Sequence, residues 1–246
     1  VLLALLLPLA APSPRGQDTS VFLERPPAAG AWAKYRITTT KPGQQARAKP
    51  LNLAVTQEGP TDGVSSFTLE LGPTKFASYR DGFLSLVLKR DPKPEEVMNP
   101  FLQALAVAYQ EPEGTPFKLS ASALNTLHNQ AKDAKVERKR TDLGQEKAED
   151  AKGRSYACNK VRLVTTRSAK FMFKSWKSTE DGVYWFCDET PFRIVKAELD
   201  LVEFSGGEEK RKQVSILLKE AQASGAVTRF KAKPTKEKGV LGVLFH

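Results

Sequence analysis

Histidine is nearly missing from this chain: 246 residues carry two, His128 and His246. Imidazole is the usual acid or base near neutral pH, so the scarcity removes the commonest group for hydrolytic chemistry. A Ser-His-Asp triad would have to use His128, yet no G-x-S-x-G elbow and no S-x-x-K supplies a nucleophile. P-loop, dinucleotide glycine fingerprint and H-E-x-x-H are absent as well. Cysteine is equally rare, with Cys158 and Cys187 alone. Together with His128 they lack the close ligand pairs of a structural zinc site. Glu180-Asp181 and Asp188-Glu189 have the chemistry to hold calcium or serve as paired carboxylates, but are read as solvated turn residues. The sequence therefore points to no metal, no cofactor and no enzyme, with a hydrolase of unknown type as the third-ranked reading. No apolar segment is long enough for a transmembrane helix.

What is abundant is positive charge. The formal net charge is +10 and the isoelectric point about 9.5. Asn159 to Thr179 holds six basic residues and no acidic one. The first eleven residues contain only Val, Leu, Ala and one Pro, which fits the apolar core of a secretory signal. In an exported chain a basic balance favours anionic membrane or envelope polymer, and no nucleic acid is expected. The localisation read from the sequence is periplasmic or extracellular. The domain plan is a signal remnant and lead at 1–16, a single β-rich domain at 17–230, and a basic, disordered tail at 231–246.

Between these ends the strongest pattern is period-two alternation. Ala31 to Thr40, then Leu51, Leu53 and Val55, then Phe67, Leu69 and Leu71 read as strands. Tyr79 to Gly82 offers a hairpin turn before Phe83 to Leu88. Asp91-Pro92 followed by Val97, Phe101, Leu105 and Tyr109 at helical spacing predicts a first helix, with Pro100 as its flaw. Ser120 or Ser122 should open a second, along Ala123, Leu124, Leu127 and Ala131. Further on, Tyr156 to Thr166, Lys170 to Lys177 and Val183 to Cys187 read as three strands, joined by links at Arg167 to Ala169 and Ser178 to Gly182. Val195, Ala197, Leu199 and Leu201 continue the meander, and Val214, Ile216 and Leu218 start a last strand or short helix.

Tyr156-Ala-Cys158-Asn-Lys160-Val161, Val183-Tyr-Trp185-Phe-Cys187-Asp-Glu-Thr-Pro191 and Ile194-Val195-Lys196 look like a pattern of secreted bacterial proteins. In these a C-K-K-V strand precedes a W-x-S-x-x-V-P strand and a G-x-V-K strand. Such proteins resemble, in fold, the periplasmic lipoprotein carriers and receptors of the Lol type. Cys187 stands where Ser is usual and Thr190 where Val is usual. The resemblance implies an α+β, β-rich fold: a curved antiparallel sheet (half-barrel, meander) with one or two helices inserted against it. It also implies that Val136 to Asp150 is a polar edge strand, Gly144, and a second short strand.

Six aromatics, Phe171, Phe173, Trp176, Tyr184, Trp185 and Phe186, fall within 16 residues on both faces of adjacent strands. The surplus must be covered from within, by a partner or by a ligand. The leading reading is an exported, non-enzymatic binding protein for an apolar or amphiphilic molecule such as a lipid or lipoprotein acyl chain. Those six residues would form the site, and Lys160, Arg162, Lys170, Lys174 and Lys177 the surface drawn to anions. The alternative is a structural or adhesive envelope protein using that basic surface. Export favours a disulfide between Cys158 and Cys187. A strand between theirs would instead put the Cα atoms about 9.6 Å apart, beyond the approximately 7 Å limit.

Overall fold

Alternation governs most of the backbone in the computed structural model, which describes residues 25–76, 79–92, 101–171, 174–205 and 207–244. The expected signal remnant and lead lie outside these residues. Two compact units divide the chain. One takes the residues up to Trp32, Asn52–Asp133 and Ser224 onward; the other takes Ala33–Leu51 and Ala134–Ala223.

In the first unit, β2 (Arg47–Thr61, from Asn52 on), β3 (Val64–Phe76), β4 (Tyr79–Lys89), β5 (Ala104–Gln110) and β6 (Phe117–Leu119) pair antiparallel in succession. Register explains the core. Val55, Leu69, Leu86 and Val107 stand opposite one another across four strands, and Leu53, Leu71, Leu84 and Tyr109 make the next row. All eight are buried, so each strand contributes alternate side chains to one apolar face.

Ser120 begins the helix α1 (Ala121–Asp133), its hydroxyl accepting the Ala123 amide at 3.3 Å as an N-cap. Ala123, Leu127 and Ala131 are the buried stripe, as their spacing predicts. Replacing Ser120 with Ala should lower stability by about 1 kcal/mol, measured by urea unfolding. His128 has a structural partner, since its Nε2 lies 2.9 Å from the Ala104 carbonyl.

The helix expected through Phe101 to Tyr109 is a strand instead. Residues 93–100 are outside the described set, Phe101 to Gln103 turn, and Ala104–Gln110 pairs with β4 as β5. Val107 and Tyr109, two apart, are buried together against Leu86 and Leu84, and this cross-strand row outcompetes the four-residue spacing. The hairpin turn placed at Tyr79 to Gly82 is likewise strand, because Phe76 pairs with Tyr79.

The tail at 231–246 is read from sequence as disordered; in the structure β12 (Lys236–Lys238) pairs parallel with β6, and α2 (Val240–Leu244) follows. Buried Glu70 anchors the approach to it, accepting from the Thr228 hydroxyl at 2.5 Å and the Arg229 amide at 2.7 Å. Lys238 then sits over the rings of Tyr79 and Phe117, 4.7 and 4.4 Å from their centroids.

The second unit contains β1 (Trp32–Thr40, from Ala33 on), β7 (Lys135–Glu149), β8 (Ser155–Phe171), β9 (Lys174–Phe186), β10 (Ile194–Ser205) and β11 (Glu208–Gln222). Within this unit the hydrogen-bonded order is β1-β11-β10-β9-β8-β7. The fold is β-rich, largely antiparallel meander in each unit, with one 13-residue helix in the first. Polar Lys135–Glu149 is a terminal strand, with a bulge between Asp142 and Gly144 where the sequence reading separates two short strands.

The two links expected at Arg167 to Ala169 and Ser178 to Gly182 lie inside long strands, and a single β8–β9 hairpin replaces the expected three-strand run. Its register is unbroken from Asn159↔Phe186 to Phe171↔Lys174. Thr165, Arg167, Ser178 and Glu180 are buried, so the polar residues that looked like turn signals keep the alternation going.

Candidate binding site on the rolled sheet

Two rows define one face of the second unit. Val161, Tyr184, Ala197 and Ile216 stand opposite one another across β8 to β11, and Leu163, Gly182, Leu199 and Val214 form the next row. Every non-glycine member is at most 4% exposed. Among the described residues this unit contains no helix, and its sheet curls. β7 and β10 are separated by two strands in the hydrogen-bonded order, which would place them about 14 Å apart in a flat sheet. Their Cα atoms nevertheless approach within 8 Å.

At one end the roll is tied shut. The β7–β8 turn reaches β11 through the Ala151 amide on the Leu218 carbonyl at 2.8 Å. Lys152 and Lys34 both pair with Glu220, at 3.6 and 3.2 Å. Asp150 shapes the turn, accepting from the Lys152 and Arg154 amides at 2.8 and 3.0 Å and from the Tyr156 hydroxyl at 3.2 Å.

Toward the other end the same face turns polar. Arg138, Thr165, Glu180, Leu201 and Lys212 share one row, and Arg167, Ser178 and Glu203 stand in the row beyond. Glu180 is 1% and Arg167 4% exposed. The Tyr184 hydroxyl donates to Glu180 at 2.6 Å, and Arg138 Nε donates to the Thr165 hydroxyl at 3.3 Å. Lys212 pairs with Glu203 at 2.8 Å, both nearly buried. Gly182 makes the Tyr184 contact feasible. A Cβ there would lie 2.9 Å from the Tyr184 ring, so only glycine lets the ring lie along the strand toward Glu180.

Of the six aromatics read from the sequence, Tyr184 and Phe186 belong to this face and stack with centroids 5.7 Å apart. Trp176 lies on β9 two positions before Ser178, in phase with them and half-buried. Trp185 points to the opposite face, where Lys160 and Lys196 cap its ring at 5.0 and 4.7 Å. The side chains of Phe171 and Phe173 lie outside the described residues. The structure thus divides the described aromatics between two faces and adds Glu180, Arg167, Lys212 and Glu203, which sequence reasoning missed. A signal for them existed: Arg167, Ser178 and Glu180 fall in phase with Leu163 and Tyr184 once 155–186 is read as one hairpin.

The predicted basic surface is largely neutralised where it is described. Lys160 pairs with Glu146 at 2.7 Å, and Arg162 forks onto Asp181 through Nε at 2.8 Å and Nη2 at 2.5 Å. Lys160 lowers the Glu146 carboxyl pKa and Arg162 lowers that of Asp181. Lys177 is exposed, while Lys170 and Lys174 have side chains outside the described residues. The face carrying Arg162 bears a polar groove of about 600 Å³, walled also by Thr38, Glu198, Asp200 and Gln213. Asp188 pairs with Arg193 at 2.8 Å, and no acidic, histidine or cysteine cluster suited to a metal occurs among the described residues.

Among the described residues no helix is long and apolar enough to cross a membrane. No family model and no curated protein matches the chain. Solved structures do show likeness. A Bacteroides fragilis protein with a YmcC-like fold, held to be exported, is 12% identical over 80% of this chain and 97% of its own, with a TM-score of 0.37. A DUF1329 family protein from Desulfovibrio piger is 10% identical over 86% of this chain and 92% of its own, at 0.31. A LolA superfamily protein from Nitrosomonas europaea is 10% identical over 83% and 90%, at 0.27. These likenesses assign the chain to no family.

Proposed function

We propose that the chain is an exported, non-enzymatic binding protein for an amphiphilic molecule of lipid or acylated type, held against the rolled face of the second unit. The observation that carries this reading is the gradient along that face. Aliphatic and aromatic rows fill the tied end, and buried charged rows with half-buried Trp176 occupy the other. Burying charges among aliphatics costs several kcal/mol per ion before pairing. A face serving stability alone is served better by apolar residues at Glu180, Arg167, Lys212 and Glu203. An amphiphile has use for both: its chain for the aliphatic rows and its head for the charged ones.

The reading as an adhesive protein for anionic polymers draws less support. Lys160 and Arg162, the central cations of that surface, already have acidic partners.

Native mass spectrometry of the protein released gently from its own envelope tests the proposal. A removable mass of lipid size, lost on organic extraction, is expected. An unliganded mass, joined by failure of the extracted protein to take up a fluorescent fatty acid, would sink it.

A further inference from the structure

The long β8–β9 hairpin brings the two cysteines to adjacent strands. The β8–β9 register pairs Asn159 with Phe186, so the next pair outward is Cys158 with Cys187. The Cys187 amide donates to the Arg193 carbonyl at 2.6 Å, away from β8. An antiparallel residue sends its N–H and C=O to the same side, so Cys158 and Cys187 form a non-hydrogen-bonded pair, whose Cα atoms stand about 4.5 Å apart. That lies within the approximately 4.4 to 6.8 Å that a disulfide spans. Opposed residues also share a face, and both cysteines are buried, at 2% and 1% exposed.

We propose that Cys158 and Cys187 are oxidised to a cross-strand disulfide that staples β8 to β9 near the tied end of the roll. This stands independently of the ligand reading. The oxidant is a disulfide-bearing one, an exchange protein or glutathione disulfide. One cysteine thiolate attacks an oxidant sulfur and releases a thiol, leaving a mixed disulfide. The second thiolate attacks the protein sulfur of that bond and releases the other thiol. Two protein thiols and one oxidant disulfide thus become one protein disulfide and two thiols. Burial and the neighbouring Cys187 push the Cys158 thiol up to about 12, so in the closed hairpin it stays protonated and unreactive. Exchange therefore precedes closure, while the chain is folding.

The test uses the full chain exported into an oxidising compartment, denatured without reductant and treated with an alkylating agent. Intact mass should show no alkyl group, and two after reduction. Two alkyl groups without reductant would overturn the proposal. A second measurement needs no variant: the urea midpoint of the same chain should fall by about 1 M when reduced, given a closed loop of some 30 residues. An unchanged midpoint would remove the stapling role.

Discussion

Gly82→Ala is expected to lower the stability of the chain by at least about 3 kcal/mol, the sum of overpacking and a lost buried hydrogen bond. Gly82 lies in β4 where a methyl group would overlap the Gln110 backbone carbonyl and the Tyr109 hydroxyl. Neither has room to retreat. Gln110 is pinned in β5 opposite Phe83, and the Tyr109 hydroxyl donates to the Thr74 carbonyl at 3.1 Å while accepting the Gly82 amide at 2.9 Å. The Tyr109 ring packs between Phe76 and Tyr79, with centroids 5.5 and 5.4 Å away. Displacing it would disturb the whole aromatic cluster. Urea unfolding followed by tryptophan fluorescence reads the effect; a midpoint equal to that of the unsubstituted chain would mean the strands part at little cost.

The second large effect is expected from Asp150→Ala, about 2–4 kcal/mol from three lost hydrogen bonds to a nearly buried carboxylate. Without the bonds to Lys152, Arg154 and Tyr156, the turn that carries Ala151 to β11 loses its shape, and amide exchange at Ala151 should accelerate by orders of magnitude. Asp150→Asn keeps an acceptor for the two amides and should lose about half as much. Burial, with Asp150 beside it, raises the Tyr156 phenol pKa. A raised folded pKa means this phenol contributes stability below its unfolded value near 10 and loses it as pH rises through the folded one. In Asp150→Ala the alkaline titration of Tyr156 should move down. An unmoved titration with unchanged exchange would place the closing of the roll elsewhere.

Much of this architecture is legible in the chain. Phe67, Leu69 and Leu71 announce β3, Val161 and Leu163 announce β8, and Ser120 with Ala123, Leu127 and Ala131 announces α1. What failed is instructive in physical terms. Val97, Phe101, Leu105 and Tyr109 satisfy a helical stripe, but Val107 and Tyr109 equally satisfy a strand, and only the waiting row of Leu84 and Leu86 decides between them. The turn of the β8–β9 hairpin was misplaced because Arg167, Ser178 and Glu180 look like loop chemistry until a partner strand buries them. The charged end of that face is hidden from sequence for the same reason. Its residues are polar where the pattern calls for apolar ones, and local propensity carries no information about a sheet that folds over its own face.

The last strand of the hydrogen-bonded order has a consequence for behaviour in a crowded compartment. Along β7 every residue but Ala148 keeps some exposure, and Lys, Arg, Asp and Glu make up most of its length, broken by the bulge beside Gly144. A long, flat, apolar strand in that place would be a template for another copy's backbone. Here any approaching chain must bring its strand against dense charge of both signs and across a kinked ladder. The composition of this one strand thus opposes backbone pairing with a second copy along this edge, and neutral β-branched replacements at Glu137, Lys139 and Lys147 are expected to raise aggregation, read by light scattering.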